Sequence, residues 1–131
     1  MNNKLDKILA EISAGELIDK ITILQIKEKK IKDVEKLKDI EKELSSLNKI
    51  YVKTITVTPK IQVLIDNLMS INLKLWDIEN GKRLAEKNND FGEKFIDLAR
   101  NVYKTNDERS KIKLEINNVL GSNIKEVKSH Y

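Results

Sequence analysis

The chain has 131 residues, of which 35% are charged and 40% hydrophobic, and its formal net charge is +4. That length suits one domain with a modest core rather than two independent ones. So much charge beside so little apolar content excludes a thick β-sandwich or a large α/β sheet, and the lack of cysteine excludes disulfides and thiolate metal sites.

The basic balance does not amount to a nucleic-acid surface. Arginine occurs only at Arg83, Arg100 and Arg109, and acidic residues interleave with the lysines almost everywhere. The densest basic run, from Lys27 to Lys32, already contains Glu28 and is followed by Asp33 and Glu35. A solvated helix face reads that way, and a phosphate-tracking stripe does not. Any nucleic-acid binding is therefore expected to be weak, insensitive to sequence and lost at physiological salt. The opening residues lack the apolar stretch of a signal peptide, and no run approaches the roughly 20 apolar residues of a membrane span. The expectation is a soluble, cytoplasmic protein without specific nucleic-acid or membrane partners.

Residues 1–12 read as an N-terminal arm. Ser13-Ala14-Gly15-Glu16 is a helix start, with serine as N-cap and glutamate three residues on as in a capping box. Leu17, Ile18, Ile21, Leu24 and Ile31 then recur at helical spacing, and Ile23 and Ile26 widen the apolar surface beyond one stripe. Asp33 offers a second cap, after which Val34, Leu37, Ile40, Leu44, Leu47 and Tyr51 step by three or four. Residues 13–50 thus read as a helical hairpin, with one continuous helix over 14–49 as the alternative.

The stretch 51–58 is rich in β-branched and aromatic residues and predicts an extended segment. Its pairing partner would be residues 7–12, residues 124–128, or the same segment of a second subunit. Thr58-Pro59 opens a third helix, with Ile61, Leu64, Ile65, Leu68, Ile71, Leu75 and Ile78 as its stripe. Asp90-Phe91-Gly92-Glu93 looks like another capping box before a last helix, whose stripe runs through Phe95, Leu98, Ala99, Val102, Ile112, Ile116 and Leu120. Gly121 stands where a C-terminal cap belongs, and 121–131 is a tail. The fold class expected is mainly α: about four helices in an antiparallel bundle, one domain over 1–131, with hairpins at 13–50 and 59–120.

Several polar residues interrupt the apolar stripes. On the last helix Asn106, Arg109 and Lys113 continue the line from Val102 to Ile116. Arg109 presents a rigid fork suited to a carboxylate or phosphate. On the third helix Asn72, Trp76, Glu79, Arg83 and Glu86 share a face, so Glu79 is expected to pair with Arg109 or Arg100 if the two helices pack antiparallel. These positions suggest a ligand-binding group of Trp76, Glu79, Arg100, Asn106, Arg109 and Lys113. A secondary polar cluster consists of Glu16, Asp19 and Lys20. Glu16 and Asp19 have the spacing of a cation-binding pair, but the second acidic cluster that such sites need is missing, so no metal and no cofactor is expected. His130 is the single histidine and lies near the end of the chain, so no catalytic set can be assembled.

Three strings occur in order: Ile12-Ser13-Ala14-Gly15-Glu16-Leu17-Ile18-Asp19-Lys20, then Leu75-Trp76-Asp77-Ile78-Glu79, then the run from Phe95 through Leu98-Ala99-Arg100 and Val102-Tyr103 to Thr105-Asn106-Asp107-Glu108-Arg109. Together they resemble a family of small helical bacterial proteins known only as a domain of unknown function. The resemblance implies a single-domain protein and brings no activity, cofactor or catalytic residue with it. The function expected is a non-enzymatic helical interaction or assembly module with a buried polar cluster. The alternative is an anionic-ligand-binding protein, or a small helical enzyme, using an Arg/Lys/Glu pocket between the last two helices. A homodimer is expected, with a protein partner possible.

Overall fold

The computed structural model describes residues 4–130 and shows four helices among them: α1 (Ala14–Lys30), α2 (Val34–Thr54), α3 (Pro59–Lys87) and α4 (Glu93–Leu120). The side chain of Ser13 accepts the Glu16 N–H at 3.1 Å, which satisfies one of the open donors at the start of α1. Asp33 does the same for Lys36 at 3.1 Å, so α1 and α2 are separate helices. Thr58 accepts from Ile61 at 3.3 Å with Pro59 in the first turn of α3. Asn89 (φ 54°) turns the chain out of α3, a left-handed geometry that asparagine tolerates. Gly121 (φ 65°) ends α4 with the left-handed cap that a residue without Cβ adopts freely.

Two expectations are corrected here. Residues 51–54 are the last turn of α2, and no strand occurs among the described residues. Tyr51 continues the stripe of Leu37, Ile40, Leu44 and Leu47, and only helical phase lets its ring join that packing. The Thr54 hydroxyl closes the turn by donating to the Ile50 carbonyl at 2.7 Å. Residues 55–58 alone leave the helix, as a connection that needs no ladder partner. Asp90 does not cap α4 either. Its carboxylate accepts the Gly92 N–H at 3.3 Å within the turn, and Gly92 is the N-cap.

The helices pack around α1. Its Leu17, Ile21 and Leu24 face α2, where Ile40 and Leu44 complete one apolar cluster. Its Ile18 points the other way, to Ile61, Leu64 and Leu68 of α3 and Ile116 of α4. Helix α2 packs chiefly on α1, with its Tyr51 also reaching the second cluster, whereas α1, α3 and α4 all touch one another. Contacts from Gly15 to Asn117 and from Asp19 to Arg109 set α1 antiparallel to α4. With a rise of about 1.5 Å per residue, α1 is some 26 Å long and α3 some 44 Å, so the α3–α4 hairpin outruns α1. Among the described residues no helix is long and apolar enough to cross a membrane.

Candidate functional site

The inner face of α1 carries Gly15, Ile18, Asp19, Thr22 and Ile26, all buried. Gly15 decides how closely α1 approaches α4. A Cβ there would stand 2.5 Å from the Lys113 carbonyl oxygen and 3.0 Å from Asn117 Oδ1. Without it, the Gly15 N–H donates to Asn117 Oδ1 at 2.6 Å. One turn further along, that approach delivers Asp19 into the space between α3 and α4.

Asp19 is 0% exposed and holds the centre of a polar cluster. Arg109 engages it with two N–H groups, Nε to Oδ1 at 3.0 Å and Nη2 to Oδ2. Asn72 Nδ2 donates to Oδ1 at 2.9 Å and also to Thr22 Oγ1 at 2.9 Å, while the Thr22 hydroxyl donates to the Asp19 carbonyl at 2.7 Å. Lys113 Nζ lies 2.6 Å from Glu16, 3.2 Å from Glu126 and 3.8 Å from Asp19. A buried carboxylate persists only when paired and hydrogen-bonded in this way. The hydrogen bond to Asp19 holds the Arg109 guanidinium above its ordinary pKa, against opposing desolvation. Burial pulls the Lys113 ammonium down, but Glu16, Asp19 and Glu126 together outweigh it and leave the pKa raised.

The structure therefore joins part of one sequence-derived group, Asn106, Arg109 and Lys113, to the other. Glu16 and Asp19 share their ion pairs with Lys113 and Arg109, and Lys20 sits at 3.8 Å from Glu16 on the exposed side. Asn106 accepts from Arg109 Nη1 at 3.3 Å. Glu79 does not pair with Arg109. It lies 3.6 Å from Lys82 on its own helix, because the buried Asp19 claims the guanidinium instead. Arg100 is exposed and belongs to none of these contacts. Among the described residues no three acidic or histidine side chains converge as a metal site.

Beside the cluster lies a cleft of about 370 Å³. Ile23 and Ile26 of α1 with Leu75 and Trp76 of α3 form its apolar walls, and Asn72, Glu79, Asn80, Arg83 and Arg109 supply its polar groups. Of the five N–H donors of an arginine, Asp19 and Asn106 take three of those on Arg109. Arg83 is exposed at the rim and makes no ion pair among the described residues. A second hollow of about 520 Å³ lies under the tail, between Glu16, Lys113 and Glu126, where Lys128 is fastened to Asp107 at 3.1 Å. The α3 face had placed Asn72 and Arg83 beside Trp76. Ile23 and Ile26 were legible only as a widening of the apolar surface of α1, and the contributions of Thr22 and Asn117 carried no signal, since nothing in the sequence says which helix faces which.

The sequence profile of a family of unknown function (DUF6165) matches residues 8–131. The chain belongs to that family. The DUF6165 match takes in all four helices, the Asp19 cluster and the whole of the cleft. No curated protein and no solved structure matches the chain.

The pair Lys113–Glu16 makes stability depend on alkaline pH. Folding raises the Lys113 pKa above the ordinary 10.5, so its contribution is complete below that value and is lost as pH rises through the higher folded value. Burial raises the Tyr51 pKa as well, and its phenolate adds to the same alkaline loss. Urea midpoints should hold from neutral pH towards 10 and fall above it. Lys113→Met should flatten that fall in part, and the difference between the two curves isolates Lys113.

Proposed function

We propose that the cleft beside Arg109 binds a small molecule with an anionic group and an apolar or planar body. The observation that carries this reading is that Trp76 and Arg109 border the same open cleft. A mostly apolar hollow with a few convergent polar groups is the usual form of a ligand site. Asp19 fixes the plane of the Arg109 guanidinium from behind, so its remaining donors are pre-oriented, and Arg83 adds a second cation at the rim. Glu79 and Asn80 would take donor groups on the same ligand. The reading is of binding, carried by the oriented guanidinium and the apolar wall.

One observation favours a second reading, a non-enzymatic helical assembly module. Glu16, Asp19 and Glu126 balance Lys20, Arg109 and Lys113, so the cluster closes electrostatically without a ligand. A cytoplasmic location and a homodimeric state belong to this proposal, and the second is supported by the exposed apolar residues of the arm.

Trp76 is the one tryptophan in the chain, so intrinsic fluorescence reports directly on the cleft. Titration with aryl phosphates and aryl carboxylates should give a saturable change in emission at about 1 mM or below. Arg83→Ala should abolish it without lowering thermal stability, since Arg83 is exposed and makes no ion pair among the described residues. A flat emission response to every probe would sink the ligand reading and leave the assembly reading standing.

A further inference from the structure

The groups that line the cleft beside Trp76 fall in a fixed order along it. Helix α1 runs parallel to α3, since Ile18 packs among Ile61, Leu64 and Leu68 while Asp19 accepts from Asn72 at 2.9 Å. Asn72 and Arg109 both donate to Asp19 Oδ1, so the Arg109 guanidinium stands level with Asn72. That end of the cleft is closed, because Asp19 is fully buried. One turn further come Ile23 on α1 and Trp76 on α3, the apolar middle. Arg83 is eleven residues past Asn72, and Lys30, the last residue of α1, is eleven past Asp19. Arg83 therefore stands at the open mouth, where α1 stops covering α3.

The two cations are too far apart to serve one anion. At about 1.5 Å per residue, Arg83 lies roughly 16 Å along the helix axis from Asn72. Its side chain recovers about 7 Å of that only by lying flat along α3, where it would fill the middle of the cleft itself. A single carboxylate or phosphate bridges two donors only within about 8 Å, two hydrogen bonds plus its own width. Between the arginines the lining is Leu75, Trp76, Glu79 and Asn80, with no cation.

We propose that the cleft selects an elongated dianion, a molecule with one anionic group at each end and a planar, apolar middle. This rests on the cleft being a ligand site and adds the number and spacing of the anionic groups. The deep anion takes the two N–H donors of Arg109 that Asp19 and Asn106 leave over. The outer anion takes Arg83 at the mouth. The middle lies on Trp76 against Ile23 and Ile26, and at about 370 Å³ the cleft admits a body of one or two rings. Glu79 keeps further negative charge out of that middle, since like charges brought together oppose binding. A probe with one anion serves one end only. It is held near the weak limit of about 1 mM, where the loss of either arginine ends detectable binding.

Three probes test the spacing by titration calorimetry: biphenyl with a carboxylate at each far para position, its isomer with both carboxylates ortho to the ring junction, and the para monocarboxylate. The first two have the same formula and charge, so only the distance between their anions differs. The para dicarboxylate should bind at least about tenfold more tightly than either of the others. Arg83→Ala should weaken it at least about tenfold with the melting temperature unchanged, which separates lost binding from lost folding. An ortho isomer or a monocarboxylate that binds as tightly as the para dicarboxylate overturns the two-ended arrangement and leaves the ligand site standing. So does a para dicarboxylate that binds Arg83→Ala as well as it binds wild type. If none of the three binds and aryl phosphates leave the Trp76 emission flat, the ligand site and its two-ended form fall together.

Discussion

Arg109→Ala should destabilise the fold by about 3–5 kcal/mol, because it leaves a buried carboxylate without its cation. Asp19 has no exposed surface through which water could replace the guanidinium. Lys113 stands 3.8 Å away and is already committed to Glu16 and Glu126, so it shifts towards Asp19 only by giving up those contacts. Arg109→Lys should recover a minor part, since an ammonium cannot reproduce the paired Nε and Nη2 bonds. Replacing both partners by an apolar pair, Asp19→Leu with Arg109→Met, should be much milder than the single change. Chemical denaturation of the four proteins measures this. A loss under about 1 kcal/mol for Arg109→Ala would mean that Asp19 is wet, and the cluster as described would be wrong. The same variant should leave the cleft without its oriented donor, so aryl anion binding should disappear at temperatures where the protein is still folded.

Gly15→Ala should cost about 3 kcal/mol, although the site is helical and alanine is normally the better helix former by up to about 1 kcal/mol. The obstacle is backbone. The added Cβ would stand 2.5 Å from the Lys113 carbonyl oxygen, which α4 cannot withdraw without moving as a helix. The hydrogen bond from the Gly15 N–H to the buried Asn117 would lengthen with it. Because Asp19 lies one turn away on the same face, its grip on Arg109 should loosen too. Melting curves and amide exchange at Thr22 and Asn117 check this. Alanine tolerated at wild-type stability would show that α1 and α4 are not in contact at Gly15.

Helix starts were legible because caps act locally. Ser13, Asp33 and Thr58 each bond an N–H three residues on, within one turn, so residue type and spacing suffice to place them. Gly121 marks an end for the same reason, its backbone conformation being one that other residues resist. Stripes of Leu and Ile at helical period then separated core from surface within each helix. The 51–58 segment misled because β-branched composition states a weak preference, and the packing of Tyr51 against the apolar cluster shared by α1 and α2 overrode it through residue 54.

The polar residues themselves were visible as interruptions in those stripes: Asp19 on α1, and Asn106, Arg109 and Lys113 on α4. Their pairing was not, because periodicity gives each helix a face but no neighbour or vertical register. Glu79 and Asp19 were equally good carboxylates for Arg109 by that measure. Tertiary structure decided between them through Gly15, whose missing side chain lets α1 settle against α4 and carries Asp19, not Glu79, into the buried position where an arginine is required. The cleft arises from the same step, since Ile23 and Ile26 become its wall only once α1 is seated beside Trp76.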